Sequence, residues 1–314
     1  MAASPQSRTD DAAHAAGPHA HAVAAPPSRA ALGAALLAVW VVWGSTYLAI
    51  KLAIVSIPPF LMGGARSMIA GTLLLGGLRL RGVPSPPLAQ WRNAAVIGFL
   101  MVTLANGAVV WAQGTIPSSL AALGVATTPL WVALATGFLE GWPRPLEWLG
   151  LAIGFGGVVL LNGDGALRAT PLAAFLLLVA QLSWGAGTIL NRRIDLPHGP
   201  MASATQMLTG GTMLFVVGLL SGERLTALPT ATSLAALAYL VVFGSIIAFS
   251  AFNFLIRNVS PALATSNAYV NPLVAVLLGV GLGGERLGHA TVVAMLVILV
   301  GVALVLLGHE RTRH

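Results

Sequence analysis

Cysteine is absent from the 314 residues, which excludes disulfides, thiolate chemistry and cysteine-held metals. Charge is scarce. Only 8% of residues are Asp, Glu, Lys or Arg, where an ordinary soluble domain has roughly 25%. Lys51 is the single lysine beside fifteen arginines. The net charge of +7 is spread between apolar runs without a dense basic patch, so nucleic acid is not an expected partner. None of the nine Asp and Glu residues lies at the centre of an apolar run. That leaves no paired carboxylates for acid–base catalysis and no buried proton relay. No Walker A sequence occurs, so the chain is not itself an ATPase. No metal-ligand spacing or cofactor motif is present, and neither a metal nor a cofactor is expected.

What is abundant is apolar side chain: 57% of residues are hydrophobic and the mean hydropathy is +0.86. A soluble fold of this length could not hide that much, so membrane lipid is the expected solvent. Residues 1–30 differ. They are rich in Ala, Pro, Ser and His without a periodic apolar face, and read as a disordered cytoplasmic tail. His14, His19 and His21 fall in this tail and lack a fourth ligand, so they read as solvated residues and not as a metal cluster. The first apolar run, from Ala31 to Ile54, is too long for a signal-peptide core and reads as an uncleaved span.

A transmembrane helix needs about 20 mostly apolar residues. Breaks at charges, prolines and glycine clusters give ten such runs: 31–53, 60–78, 93–113, 118–139, 147–162, 171–190, 201–220, 232–255, 261–283 and 290–308. The positive-inside rule sets the orientation. With the N-terminus in the cytoplasm, eleven arginines fall on inside segments, Arg79, Arg81, Arg192 and Arg193 among them. Lys51, Arg168, Arg224 and Arg286 fall outside, and Arg66 lies within a span. Both termini are therefore expected inside, in a bacterial cytoplasmic membrane. The preference for Arg over Lys and the high Ala content suggest a GC-rich bacterial source.

The chain also repeats itself. Trp43-Gly44-Ser45-Thr46 recurs as Trp184-Gly185-Ala186-Gly187, and Pro59 as Pro200, both 141 residues on. Pro129-Leu130 recurs as Pro272-Leu273 at 143, and Glu140 as Glu285 at 145. Four ordered landmarks define two units, 31–165 and 166–308, followed by a short tail at 309–314. Five spans per unit is odd, so the second copy must be inverted in the membrane. Inverted repeats around a central site are a secondary-transporter architecture. The expected fold is all-α, with ten transmembrane helices in two inverted five-helix repeats.

Several of these residues carry a resemblance. Trp43-Gly44-Ser45-Thr46-Tyr47 resembles the first-helix signature of the EamA family in the drug/metabolite transporter superfamily. Arg257-Asn258-Val259-Ser260-Pro261-Ala262 and Tyr269-Val270-Asn271-Pro272, with Glu285 after them, resemble its ninth-helix region. The likeness covers about residues 31–308 and is close to an inner-membrane branch of the family. It implies export of small metabolites, amino acids or drug-like solutes, driven by an ion gradient or by exchange.

Polar groups inside a membrane are expensive unless they face protein or a wet cavity, so they outline a candidate path for a small-molecule substrate. Thr103, Asn106 and Gln113 share one face of the third span, Asn267 and Asn271 stack in the ninth, and Ser250 and Asn253 pair in the eighth. Trp40, Trp43 and Tyr47 form an aromatic stripe, with Thr46 beside it and Trp111 and Trp184 adding to the set. Thr128 sits next to Pro129. This mixture suits a neutral or zwitterionic, moderately apolar solute. Each group could equally be interhelical glue worth about 0.6 to 2 kcal/mol. Arg66 lies roughly 9 Å into the second span from Phe60. Three roles are open to it: binding a substrate carboxylate, snorkelling to the interface, or pairing with a helix C-terminus. Pro129 and Pro272 are either gate hinges or static kinks, and the carbonyls they free need a partner. Thr127, Thr128 and Asn271 are placed to supply one. Gly150-x-x-x-Gly154 and the pairs 63–64, 76–77, 156–157, 210–211 and 283–284 are expected to allow close helix packing.

The function that follows is secondary export by alternating access. A membrane enzyme, such as a lipid or polyprenyl transferase, is the alternative, as is a receptor or channel. The enzyme would need paired carboxylates or His/Asp clusters, which the sequence lacks.

Overall fold

The structure is a computed structural model describing residues 27–128, 131, 144–161, 171–259, 264, 267–282, 284 and 288–310. Helices account for almost all of it, and no strand occurs among the described residues. In chain order they are α1 Arg29–Ala53, α2 Pro59–Leu80, α3 Leu88–Gln113, α4 Ser118–Ala126 over its described part, and α5 Pro145–Leu161. The second set is α6 Pro171–Arg193, α7 Pro200–Leu220, α8 Ala231–Asn258, α9 Asn267–Gly281 and α10 His289–Glu310. Among them α1, α2, α3, α6, α7 and α8 are long and apolar enough to cross a membrane. Shorter apolar stretches lie in α5, α9 and α10.

Proline and glycine punctuate these helices. Pro59, Pro145, Pro171 and Pro200 are first residues of α2, α5, α6 and α7, where a missing N–H and a fixed φ are tolerated. After α2 and α7 the chain turns through Gly82 and Gly222, with φ of 81° and 85°. Val83 N–H then bonds Leu78 O at 3.1 Å, and Glu223 N–H bonds Gly218 O at 2.9 Å. This is one C-terminal motif used twice. The helices extend past the apolar runs wherever a polar turn can be satisfied. α3 begins at Leu88, five residues before the run at 93, because Gln90 and Asn93 bond Asp195 in the loop after α6.

The two repeats pack as inverted copies. Along α2 and α7, Gly64 meets Phe215 while Gly71 meets Leu208, and Gly218 meets Phe60 and Leu61. Residue numbers rise on one helix as they fall on the other, so these repeat-equivalent helices are antiparallel. The same holds for α5 and α10, where Gly157 faces Ile298 and Gly301 faces Gly150 and Gly154. A Cβ on Gly64 would stand 2.6 Å from Phe215 N, so this contact admits no side chain. Gly76, Gly77 and Gly156 face open space and do not serve the packing role expected of their pairs.

Polarity runs inside out relative to a soluble protein. Leu80 is 92% exposed and Leu277 72%, and Leu73, Phe175, Val216 and Leu296 also face outward. Thr46, Arg66, Gln181, Gln206, Asn253 and Asn271 are buried. Lipid as solvent explains both. Three π-helical stretches interrupt the helices, at Ala38–Val42 in α1, Phe99–Asn106 in α3 and Leu240–Ile247 in α8. Such wider turns cluster at functional sites. The last two are both eight residues long and lie within two residues of matched positions in α3 and α8.

Two cations serve as caps. Lys51 Nζ, at the end of α1, donates to Gln113 O (2.8 Å) and Ile116 O (3.2 Å), at and just past the end of α3. Arg192, at the end of α6, donates from Nε to Ile256 O (2.7 Å) and from Nη2 to Val259 O (3.0 Å), at and just past the end of α8. Each supplies donors to carbonyls that a helix end leaves open.

Candidate functional site

The helices enclose a central cavity of about 100 Å³ between the repeats. Its first wall is α1, where Trp43, Thr46 and Tyr47 reach the space. The Trp43 indole donates to Gly244 O at 3.1 Å, a carbonyl inside the π-helical part of α8. Thr46 Oγ1 turns back to Trp43 O at 2.6 Å, leaving its methyl against the Gly244 backbone.

Arg66 enters from α2 and is 7% exposed. Its Nε donates to Ser245 Oγ at 2.7 Å. The carboxylates whose side chains are described are engaged elsewhere. Glu223 accepts from Phe60 N (3.1 Å) and Leu61 N (2.8 Å) and caps α2, and Asp195 accepts from Gln90. No ion pair to Arg66 occurs among the described residues. Snorkelling does not describe this side chain, which stays inside the bundle at the cavity wall.

The remaining walls are amides, hydroxyls and aromatic rings. Asn271, with its amide turned so that both ends are satisfied, donates to Trp40 O (2.9 Å) and Val39 O (3.2 Å) and accepts from Asn267 Nδ2 (3.2 Å). Those two carbonyls belong to the π-helical part of α1. The Thr128 hydroxyl lies within reach of both Val125 O (2.6 Å) and Gln181 Oε1, and its one proton serves one of them at a time. Gln181 Nε2 donates to Leu177 O at 3.0 Å. The rings of Trp43 and Trp184 meet edge to face at 5.4 Å, and Phe252 lies 5.1 and 5.2 Å from them.

Of the twelve residues singled out in the sequence, Trp43, Thr46, Tyr47, Arg66, Asn106, Thr128, Trp184, Asn267 and Asn271 line this cavity, with Pro272 inside α9. Trp111, Gln113 and Asn253 lie elsewhere. The π-helical turn over Phe99–Asn106 explains part of this, because it rotates the face that a 3.6-residue period lines up. Thr103 points instead at α7 and donates to Gly210 O at 2.8 Å. Gln113 is fully buried with both amide atoms unpartnered. Pro129 falls outside the described residues, as do the tail histidines, Arg168 and Glu285. Ser67, Met207, Ser245, Phe249 and Gln181 also line the cavity and were not singled out. Gln181 had a legible signal: it sits one turn before Trp184 on the same face of α6.

An all-helical membrane bundle of two inverted repeats, with a polar and aromatic hollow between them, is the architecture of a membrane transporter. The chain matches the EamA-like transporter family twice, over residues 31–163 and 171–307, and it belongs to that family. It is 48% identical over 275 residues to the inner membrane transporter YedA of Escherichia coli, covering 87% of this chain and 90% of the relative. It is 30% identical over 274 residues to protein PecM of Dickeya dadantii, covering 84% and 90%. One solved crystal structure shares the fold with a TM-score of 0.67 at 22% identity, covering 89% of this chain and 98% of the other.

Proposed function

We propose that the protein exports a small amphipathic solute bearing a carboxylate, by alternating access, across a bacterial cytoplasmic membrane with both termini inside. The observation that carries this reading is Arg66: a buried cation at the cavity wall, anchored through Nε to Ser245 and paired with no described carboxylate. In a medium of low dielectric an anion beside it is strongly favoured. The rings of Trp43, Trp184 and Tyr47 suit an apolar solute body, while Asn106, Gln181 and Asn267 offer amides to an ammonium or hydroxyl. Pro272, and its repeat counterpart Pro129, are the proposed hinges. No catalytic role is assigned.

Counterflow in proteoliposomes tests the reading, with amino acids paired against their amides and decarboxylated analogues. Arg66→Ala should lower carboxylate transport by about 10- to 100-fold, the scale of one lost charged hydrogen bond, with Arg66→Lys retaining part of it. Equal rates for a carboxylate and its amide would overturn the role of Arg66. The orientation is checked separately. Cysteine in place of Arg81 should react with an impermeant thiol reagent only in inverted vesicles, and in place of Arg224 only in intact cells.

A further inference from the structure

Behind the aromatic residues of the cavity lies a second group of polar side chains. Asn191 Nδ2 donates to Asn253 Oδ1 at 3.0 Å, and Asn253 Nδ2 donates to Gln206 Oε1 at 3.1 Å and to Ser203 Oγ at 2.9 Å. All four residues are at most 3% exposed. The chain of amides is open at both ends: Asn191 Oδ1 and Gln206 Nε2 have no partner. Turning all three amides over reverses the chain and leaves Asn191 Nδ2 and Gln206 Oε1 open instead. Either way one donor and one acceptor await a ligand or water, because a buried polar atom without a partner is costly.

Two stripes connect this chain to the central cavity. On α6, Gln181 and Trp184 line the central cavity, and Asn191 lines an open recess at the protein surface that Arg192 and Arg257 also border. On α8, Ser245 and Phe249 line the first and Ile256 the second, with Asn253 one turn after Phe249. Spacings of three, four and seven residues keep each stripe on one helix face. Between those lining positions along α6 and α8 lie Trp184 and Phe252, in ring contact with each other and with Trp43, and Phe252 is fully buried.

The fold does not require amides there. Ile50, Met62 and Val110 occupy the positions matched to Asn191, Ser203 and Asn253 in the other repeat. Those three are apolar and share one buried cluster. The same architecture therefore closes with apolar side chains at these three positions in one half and with an open-ended polar chain in the other. Inversion puts the two at opposite faces.

We propose that Asn191, Ser203, Gln206 and Asn253 form a second, transit site for polar groups that donate and accept at once, such as hydroxyls and amides, and that the Trp43–Trp184–Phe252 stack is the partition separating it from the central cavity. The proposal rests on the transport reading, but its first test needs no substrate. The cysteine-free chain gives no background labelling. Ser203→Cys should react with an impermeant methanethiosulfonate from the face carrying Arg192 and Arg257, and glycolamide in excess should slow it severalfold. Met62→Cys, at the matched apolar position, should stay unreactive from the opposite face. Adding Phe252→Ala should raise the labelling of Ala180→Cys, in the central cavity, by about tenfold from the Arg192 face, as expected for two lost aromatic pairs. Phe252→Leu serves if the alanine variant does not fold. Labelling of Ser203→Cys no faster than Met62→Cys, no protection by glycolamide, or an unchanged Ala180→Cys rate would each overturn the assignment. A failed transport panel with positive labelling would instead reject the solute class and leave the transit site standing.

Discussion

Arg66 and Met207 occupy matched positions on α2 and α7, and both reach the central cavity, yet one is a guanidinium and the other a thioether. A second matched pair behaves alike. Thr128 and Asn271 both line the space. The first meets Gln181 on α6, and the second meets the Trp40 backbone on α1, at the position matched to Gln181. The scaffold, by contrast, is duplicated closely. Lys51 and Arg192 cap the same two places on α3 and α8, and the left-handed glycines after α2 and α7 recur. The two halves thus share their frame and differ at the cavity wall. A symmetric frame suits halves that exchange roles as a transporter rocks, whereas an asymmetric wall, on the proposed reading, favours one orientation of the solute.

The comparison can be broken most severely where the frames meet. Gly64→Leu or Gly211→Leu pushes a side chain into α7 or α2 backbone, with Cβ at 2.6 Å from Phe215 N or 2.8 Å from Met68 N. Either should cost upwards of about 3 kcal/mol and abolish the monodisperse peak in detergent. Gly76→Leu, facing open space, should leave that peak intact. Next in size is the cavity wall. Arg66→Met makes the two walls alike and should reduce carboxylate counterflow about 100-fold. The double change Arg66→Met with Met207→Arg returns the charge from the opposite wall and should recover part of the rate. No recovery would mean that the position of the charge matters as well as its presence.

Smaller effects test whether the frame is as symmetric as it looks. Lys51→Met and Arg192→Met each remove two charge-assisted bonds to carbonyls and should each lower stability by about 1.5–3 kcal/mol, read as thermal melts in detergent. A large inequality between them would show that the halves are not mechanically equivalent. Thr103→Val removes one hydroxyl-to-carbonyl bond between α3 and α7 and should cost about 0.6–2 kcal/mol without changing substrate preference.

Much of this was legible in the sequence because it rests on one-dimensional signals. Apolar runs and prolines located the helices, and the recurrence of Trp43 at Trp184 and of Pro59 at Pro200 revealed the two units. Of the nine expected residues that line the cavity, six are polar or charged and marked by the cost of polarity in lipid, while Trp43, Tyr47 and Trp184 were marked as aromatic. The failures have local causes. Gln113 and Thr103 were aligned with Asn106 by an ideal helical period, which the π-helical turn in α3 breaks. Lys51 and Arg192 were read as markers of membrane side, and their use as caps depends on where α3 and α8 end in space. Asn253 was placed in the central cavity, but it lies outside it, in a chain with Asn191 and Gln206, residues from three helices that no spacing along the sequence brings together.

The edge-to-face contact of Trp43 with Trp184 has a consequence for symmetry. These are the same residue of the two units, so the point where they touch lies beside the axis that relates one unit to the other. A self-complementary dimer has this property, with a residue near its axis meeting its own twin. The indole pair therefore marks where the pseudo-twofold axis between the two repeats passes through the cavity wall.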